Sequence, residues 1–424
     1  MIAAVNGRVA PVVRSWRSWG PLLAGALVMA YGISLHAGTF TYGGPHNRVA
    51  FNGFASTHLG AYSDIASLYF KDHIWHGLTP YWHYSFEYPV GTGLLAYLTS
   101  LLGGGVGVYL AVNAAVLIAC GLLTIWLLRR WPGANPWLLA LSPALALYVV
   151  LNWDLLSIAA LVLALVLFGR RRDGWSGAAL AVATWTKFFP VIALPVLLWV
   201  RLLDEPRDRT RSAARILVPF GLVTAVVNVP FLFDSLSRRR WAFFFQFNTT
   251  RRGTGSVWQL IGHGHIAAST ENLVSLVLLA AGIAAVLSAV GIAHRRHGVP
   301  TAGLIAPALL ASFGWLFLTT KLYNPQYDLW VMVLIACAAV PPALAVAFAA
   351  ADLAFFTATF TQFRLGNHWV EVHVARLSIV LREAALLAVV GWAVWQIVGP
   401  WLRHRPALPL SLIHISEPTR QAEI

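Results

Sequence analysis

Acids able to take a proton and cations able to hold an anion occur at a few separate points of an otherwise apolar chain. The acids are Asp64, Glu87 and Asp154, and the cations are Lys187, Lys321 and the pair Arg251–Arg252. Only three of the 30 basic residues are lysines, and each opens a polar break: Lys71 in YFKDHIW, Lys187 in WTKFFP and Lys321 in TTKLYNPQY. These residue types suit transfer of a group away from a phosphate. A carboxylate accepts the proton of an incoming hydroxyl, and cations stabilise the phosphate that departs. Arginine offers a fork that matches phosphate oxygens, and lysine a compact charge.

The elements that must position these residues are membrane-spanning helices. The chain has 424 residues, 58% of them apolar and 11% charged, with a mean hydropathy of +0.68. Apolar residues fall in repeated runs of about 15–25, the length that crosses a bilayer core as helix. A transmembrane β-barrel would show short alternating segments instead. The net charge of +14 is arginine beside these runs, as membrane orientation requires, and no nucleic-acid motif accompanies it. Cys120 and Cys337 lie inside apolar runs and read as small core residues.

Arginine runs at Arg8–Arg17, Arg129–Arg130, Arg170–Arg172, Arg201–Arg215, Arg295–Arg296 and Arg403–Arg405 are all placed in the cytoplasm by the positive-inside rule. The count that follows is about twelve helices, with both ends inside and residues 38–104 outside. After a first span from about Pro21 to Gly38, the expected spans are 105–128, 136–152, 153–169, 174–187, 188–203, 213–233, 272–293, 301–319, 327–343, 344–361 and 378–402. The stretch Pro89–Leu102 is apolar but short, and reads as an interfacial or re-entrant helix of the first outer segment. The first span lacks a clean cleavage site and reads as retained. Leu410–Ile424 resembles translated adapter sequence from library preparation and is read as an assembly artefact, which leaves residues 1–409 as one domain.

On this topology the acids, the lysines and most aromatic motifs share the extracytoplasmic side. Their order resembles glycosyltransferase family 87, integral membrane transferases of the GT-C class that use polyprenyl-phosphate sugars. The matching residues are Tyr62-Ser63-Asp64-Ile65, Gly77 with Pro80-Tyr81, Glu87-Tyr88-Pro89, Asn152-Trp153-Asp154, Lys187 with Pro190, and Lys321 with Pro325-Gln326-Tyr327. Asn324 stands where serine is common in that pattern. The resemblance implies an all-α polytopic GT-C-type bundle whose large first extracytoplasmic loop carries interfacial helices. It also implies an inverting transferase that moves a sugar, with mannose favoured, from a polyprenyl-phosphate donor to a lipid or glycan acceptor at the extracytoplasmic face of the cell membrane. The competing class is a transporter or flippase of lipid-linked sugars, which would show inverted repeats and charges at the midplane.

Each residue carries a plain reading beside the functional one. Asp64 is the candidate base, or a cap for the helix that follows. Glu87 assists it or orients the acceptor, or else forms an ion pair within the loop. Asp154 contacts sugar hydroxyls or caps the next helix, and the resemblance groups Asn152, Tyr81, Gln326 and Tyr327 with it as sugar or acceptor contacts. Lys187, Lys321, Arg251 and Arg252 are the donor-phosphate ligands. Arg238–Arg240 meet lipid headgroups, and the run Trp241–Phe247 holds the prenyl chain. Asp72 reads as a solvated loop residue. No cofactor is expected, although His73, His76 and His83 stand close enough in sequence to raise a divalent cation.

Overall fold

The computed structural model describes residues 6–403 apart from Leu59, His263, Gly264 and Asn367. The side chains of Arg8, Arg14, Arg17 and Arg403, and all of residues 404–424, lie outside that description. The described residues are almost wholly helical, with only the isolated bridges Pro80–Tyr84 and Thr254–Leu322 and no strand.

Among the described residues, six helices are long and apolar enough to cross a membrane: Gly105–Leu128, Arg209–Phe231, Ala268–His297, Thr301–Thr319, Pro342–Leu365 and Val370–Pro400. The other stretches of the expected twelve fall short of that length, on the shorter apolar helices Trp19–Leu35, Asp154–Gly169 and Pro325–Ala338 or on interrupted ones, and proline explains the interruptions. The expected 136–152 span is split into Trp137–Ala140 and Pro143–Tyr148, because Pro143 lacks an N–H and disfavours helix in the residue before it. Ser142 caps the second piece by accepting from Ala144 N at 3.2 Å. Pro190 and Pro325 likewise open 3₁₀ turns, Phe189–Ile192 and Pro325–Tyr327, ahead of helices Ala193–Asp204 and Asp328–Ala338. Each interruption frees backbone and side chains at a helix end, where the polar motifs sit.

Burial separates centre from periphery. Inside the most apolar window of Thr301–Thr319, 72% of residues are buried, against 11% in Ala268–His297 and 17% in Arg209–Phe231. The first helix packs on protein all round. The other two present apolar faces such as Leu273, Leu276, Leu222 and Val226, suited to lipid rather than water. The first large polar segment folds into Arg48–Thr57, Asp64–Lys71, the turn Ile74–His76 and Val90–Ser100. Val90–Ser100 has 11 residues, about 17 Å of helix, too short for a hydrocarbon core of about 30 Å. Cys120 and Cys337 are unpaired, and Cys337 is buried.

Candidate active site

Helix polarity brings the polar motifs to one end of the bundle. Asp154 opens helix Asp154–Gly169, whose far end leads through Arg170–Arg172 to helix Asp173–Thr186, and that helix returns to Lys187. Lys187 leaves the helix in an extended conformation (φ −146°, ψ 127°), which ends the run and turns its side chain back across the start of the preceding helix. Its ammonium lies 3.2 Å from the Asp154 carboxylate and 3.5 Å from Asn152 Oδ1. The rings of Tyr88 and Tyr327 flank it at 5.0 and 5.3 Å, a cation–π arrangement.

Asp64 is tied into the same group. Its backbone N–H donates to Leu151 O at 2.8 Å and Ser63 Oγ donates to Val150 O at 2.7 Å, so helix Asp64–Lys71 starts against the Asn152 segment. The carboxylate caps nothing. It accepts from Tyr62 OH at 2.7 Å, Asn152 Nδ2 at 2.8 Å and Gln326 Nε2 at 3.5 Å, and the helix has no side-chain cap. Burial raises the Asp64 carboxyl above the usual carboxylate range. The Tyr62 hydrogen bond works against that, Glu87 adds repulsion, and Asn152 and Lys187 pull it down again. A base raised in this way is better matched to a hydroxyl proton than an ordinary exposed Asp. Asn152, fully buried, also donates to Tyr88 OH at 2.6 Å, and it thereby joins Asp64, Tyr88 and Lys187.

Beside this group opens a cavity of about 530 Å³. Lys187, Lys321, Arg251, Glu87 and Tyr327 are among its polar lining residues, and Phe188, Phe244, Phe245, Leu276 and Leu316 among its apolar ones. The aromatic run Trp241–Phe247 lies on helix Ser235–Thr250, which brings Phe244, Phe245 and Phe247 to the wall. Lys321 Nζ caps the C-terminus of that helix, donating to Thr249 O at 2.9 Å and to Arg251 O. An ammonium has three donors, so one remains after these two bonds. Burial lowers the Lys321 ammonium from its ordinary value, Glu271 opposes the shift and Arg251 adds to it. The Arg251 guanidinium stacks over Phe247 at 5.2 Å. Arg252 is exposed and is not among the lining residues.

Other expected residues take places of their own. Glu87 lines the cavity, and its carboxylate is paired with Lys71. Asp154 is closed off: besides Lys187, it accepts from Trp330 Nε1 at 2.7 Å, and it has 1% exposure. It is the buried counter-ion of Lys187 rather than an open sugar contact. Tyr81 is also core, donating to Tyr88 O at 2.8 Å and packed edge-on against Phe231. Gln326 is buried on Asp64, and Tyr327 lines the cavity with Lys321 of the same motif. Asp72 is not a solvated loop residue. Burial pushes it up to about 6 against the pull of Lys71, and its Oδ2 is buried without a partner. Arg240 donates to Trp82 O, while Arg238 and Arg239 are exposed. Among the described residues no group of three His, Cys, Asp or Glu side chains is placed to hold a metal, and His83 is occupied with the Thr79 backbone.

Sequence reasoning does not single out Tyr88 as the ring over Lys187, nor Tyr62 as the donor to Asp64. It also passes over Asp328, Asp352 and Arg382, which form a fully buried cluster behind the site. Ionisable residues inside apolar runs are themselves a signal of function, and Asp352 and Arg382 carried it.

A family model described as glycosyltransferase family 87 matches residues 86–319. The match includes Glu87, Asp154, Lys187 and Arg251, and leaves Asp64, Lys321 and Pro325–Tyr327 outside it. Two solved structures of ArnT from Cupriavidus metallidurans are similar in shape. The apo form is 18% identical with a TM-score of 0.46, over 92% of this chain and 78% of that one. The form bound to undecaprenyl phosphate is 18% identical with a TM-score of 0.45, over 89% and 77%. No curated protein sequence matches the chain.

Proposed function

The chain belongs to glycosyltransferase family 87, and from that premise we propose that it moves a sugar from a polyprenyl-phosphate donor to a lipid or glycan hydroxyl with inversion. The observation that carries the reading is the cavity whose lining combines the cations Lys187, Lys321 and Arg251 with the rings of Phe188, Phe244, Phe245 and Phe247. A phosphate on a hydrocarbon chain fits such a mixed lining. The acceptor oxygen attacks the anomeric carbon from the side opposite the phosphate. The bond between that carbon and the phosphate oxygen breaks, and the phosphate leaves with the electron pair. Asp64 takes the hydroxyl proton, and the cations stabilise the charge that grows on the leaving oxygen. Asn152 holds Asp64 in place, and Asp154 fixes the Lys187 ammonium.

The finer assignments rest on less. Mannose is the sugar that the family resemblance favours. The arginine runs at 129–130, 170–172, 201–215 and 295–296 support a reaction on the extracytoplasmic side. Purified protein incubated with radiolabelled polyprenyl-phosphate mannose and a panel of membrane lipids tests the reading. Label is expected to pass to one lipid class in wild type and not in Asp64→Asn. Transfer that survives in Asp64→Asn removes Asp64 from the reaction.

A further inference from the structure

Lys321 sits on the short segment between helix Thr301–Thr319 and the turn Pro325–Tyr327, and that segment is sewn to the loop that follows Arg251. Thr254 N donates to Lys321 O at 2.9 Å, Tyr323 N to Thr254 O at 3.0 Å, and Ser256 Oγ to Lys321 O at 2.8 Å. The loop comes this close because of Gly255. Its φ is +63°, and a Cβ there would lie 2.5 Å from Tyr323 O.

Arg382 reaches this seam from helix Arg376–Arg403. Its Nη2 donates to Gly255 O on one side of the seam and to Tyr323 O, at 3.0 Å, on the other. Its Nη1 lies 3.4 Å from Asp328 Oδ2, and Tyr323 OH donates to the other oxygen of Asp328. The guanidinium is held between the rings of Tyr323 and Phe355, at 3.6 and 3.5 Å, and has no exposure. A buried guanidinium is costly, and two apolar helices would pack without one.

We propose that Arg382 is a positioning residue for the donor-phosphate site: it clamps Gly255 to Tyr323 and so fixes Lys321 and Arg251 relative to each other. Both cations depend on the seam. Lys321 is part of it, and Arg251 lies just before it with its carbonyl on the Lys321 ammonium. Without the clamp, the ammonium and the guanidinium no longer share one geometry for three phosphate oxygens. The inference rests on the reading that Lys321 and Arg251 hold phosphate, so its test carries a control for that reading.

The test measures binding of polyprenyl phosphate and of the uncharged polyprenol to purified protein in lipid nanodiscs. Arg382→Lys keeps a charge beside Asp328 but loses the planar fork that spans both carbonyls. It is expected to weaken polyprenyl phosphate by about tenfold and polyprenol by less than about twofold. A structural loosening would weaken both ligands alike, and that result rejects the clamp. So does a folded Arg382→Lys protein that binds polyprenyl phosphate as wild type does. Should Arg382→Lys fail to fold, Ser256→Ala decides in its place. It cuts one bond of the seam without touching a charge, and is expected to weaken polyprenyl phosphate alone by about threefold. Unchanged binding there rejects the proposal. Lys321→Ala is the control. If it leaves polyprenyl phosphate binding intact, the phosphate reading itself fails and the clamp with it. If it weakens binding while the seam variants do not, only the clamp falls.

Discussion

Two buried ion pairs, one at each end of helix Asp173–Thr186, differ in what surrounds the cation. At the far end Arg201 meets Asp173 at 2.5 Å, and at the cavity end Lys187 meets Asp154 at 3.2 Å. Both acids open a helix, where the dipole favours negative charge, and both pairs are almost fully buried. Arg201 is closed in. It also donates to Phe168 O at 3.1 Å, reaches Asp204 at 3.4 Å and stacks on the Phe168 ring. Asp204 in turn holds Arg171, in a knot of charges that ties loops together. Lys187 instead lies beside a cavity, between two tyrosine rings. Burial and pairing are therefore shared by structure and function, and the open side of Lys187 distinguishes the site.

The largest effect expected falls on the acids. Asp64→Asn keeps the size and most hydrogen bonds of Asp64 but removes its basicity. Transfer should drop by about 10²–10⁴-fold with no loss of thermal stability. Asp173→Asn should do the reverse, losing up to about 3–5 kcal/mol of stability because Arg201 loses its nearest carboxylate and keeps only Asp204, while the protein that remains folded keeps its turnover. Measuring rate and thermal unfolding on both variants checks the contrast. It breaks if Asp173→Asn lowers turnover per folded molecule as Asp64→Asn does.

Paired neutralisation sharpens the comparison further. Arg201→Met with Asp173→Asn removes both charges at the far end, and replacing a buried pair this way is often close to neutral. Stability should come back to near wild type relative to either single change, with transfer per folded molecule kept throughout. Lys187→Met with Asp154→Asn should recover stability in the same way and yet stay at least about tenfold down in transfer, because the lost cation faces the leaving group. Full recovery of transfer in the second pair would make Lys187 a structural residue like Arg201.

How much of this was legible in the sequence follows from what each feature depends on. The gathering of Asp64, Lys187 and Lys321 needs only span lengths and the arginine bias, since these place the motif-bearing ends together. The aromatic wall was legible because WAFFFQF flanked by arginines has no reason to be buried in a bundle core. The partners were not. Asn152 meets Asp64 across 88 positions, Trp330 meets Asp154 across 176, and Arg382 meets Gly255 across 127. Nothing local marks such pairs, so Asp154 reads equally as a cap or a sugar contact until Lys187 and Trp330 are seen on it. Asp72 reads as a loop residue because its polar neighbours in sequence give no sign of burial, and the groups that face it, Arg48, Tyr84 and Glu87, lie on separate segments. The interrupted spans are a middle case: Pro143 and Pro190 announce a break, but not that the freed ends serve the site.

The smallest effect expected is also the most specific to the open end. Tyr62 OH donates to Asp64 Oδ1 at 2.7 Å and favours the charged carboxylate. Burial already holds Asp64 above the ordinary carboxylate value, so the folded protein binds this proton more tightly than the unfolded chain does. Stability from Asp64 is then fully present at low pH and falls as pH rises from the ordinary value through the raised one. Activity runs the other way. A base must be deprotonated, so the acid limb of transfer against pH should lie above the usual carboxylate range. Tyr62→Phe removes the donor and should move that limb upward by about one unit, while leaving the plateau at high pH within about twofold of wild type. A lowered plateau with an unmoved limb would mean that Tyr62 positions Asp64 without tuning it. An acid limb in wild type at the ordinary carboxylate value would show that Asp64 is as well solvated as a surface acid.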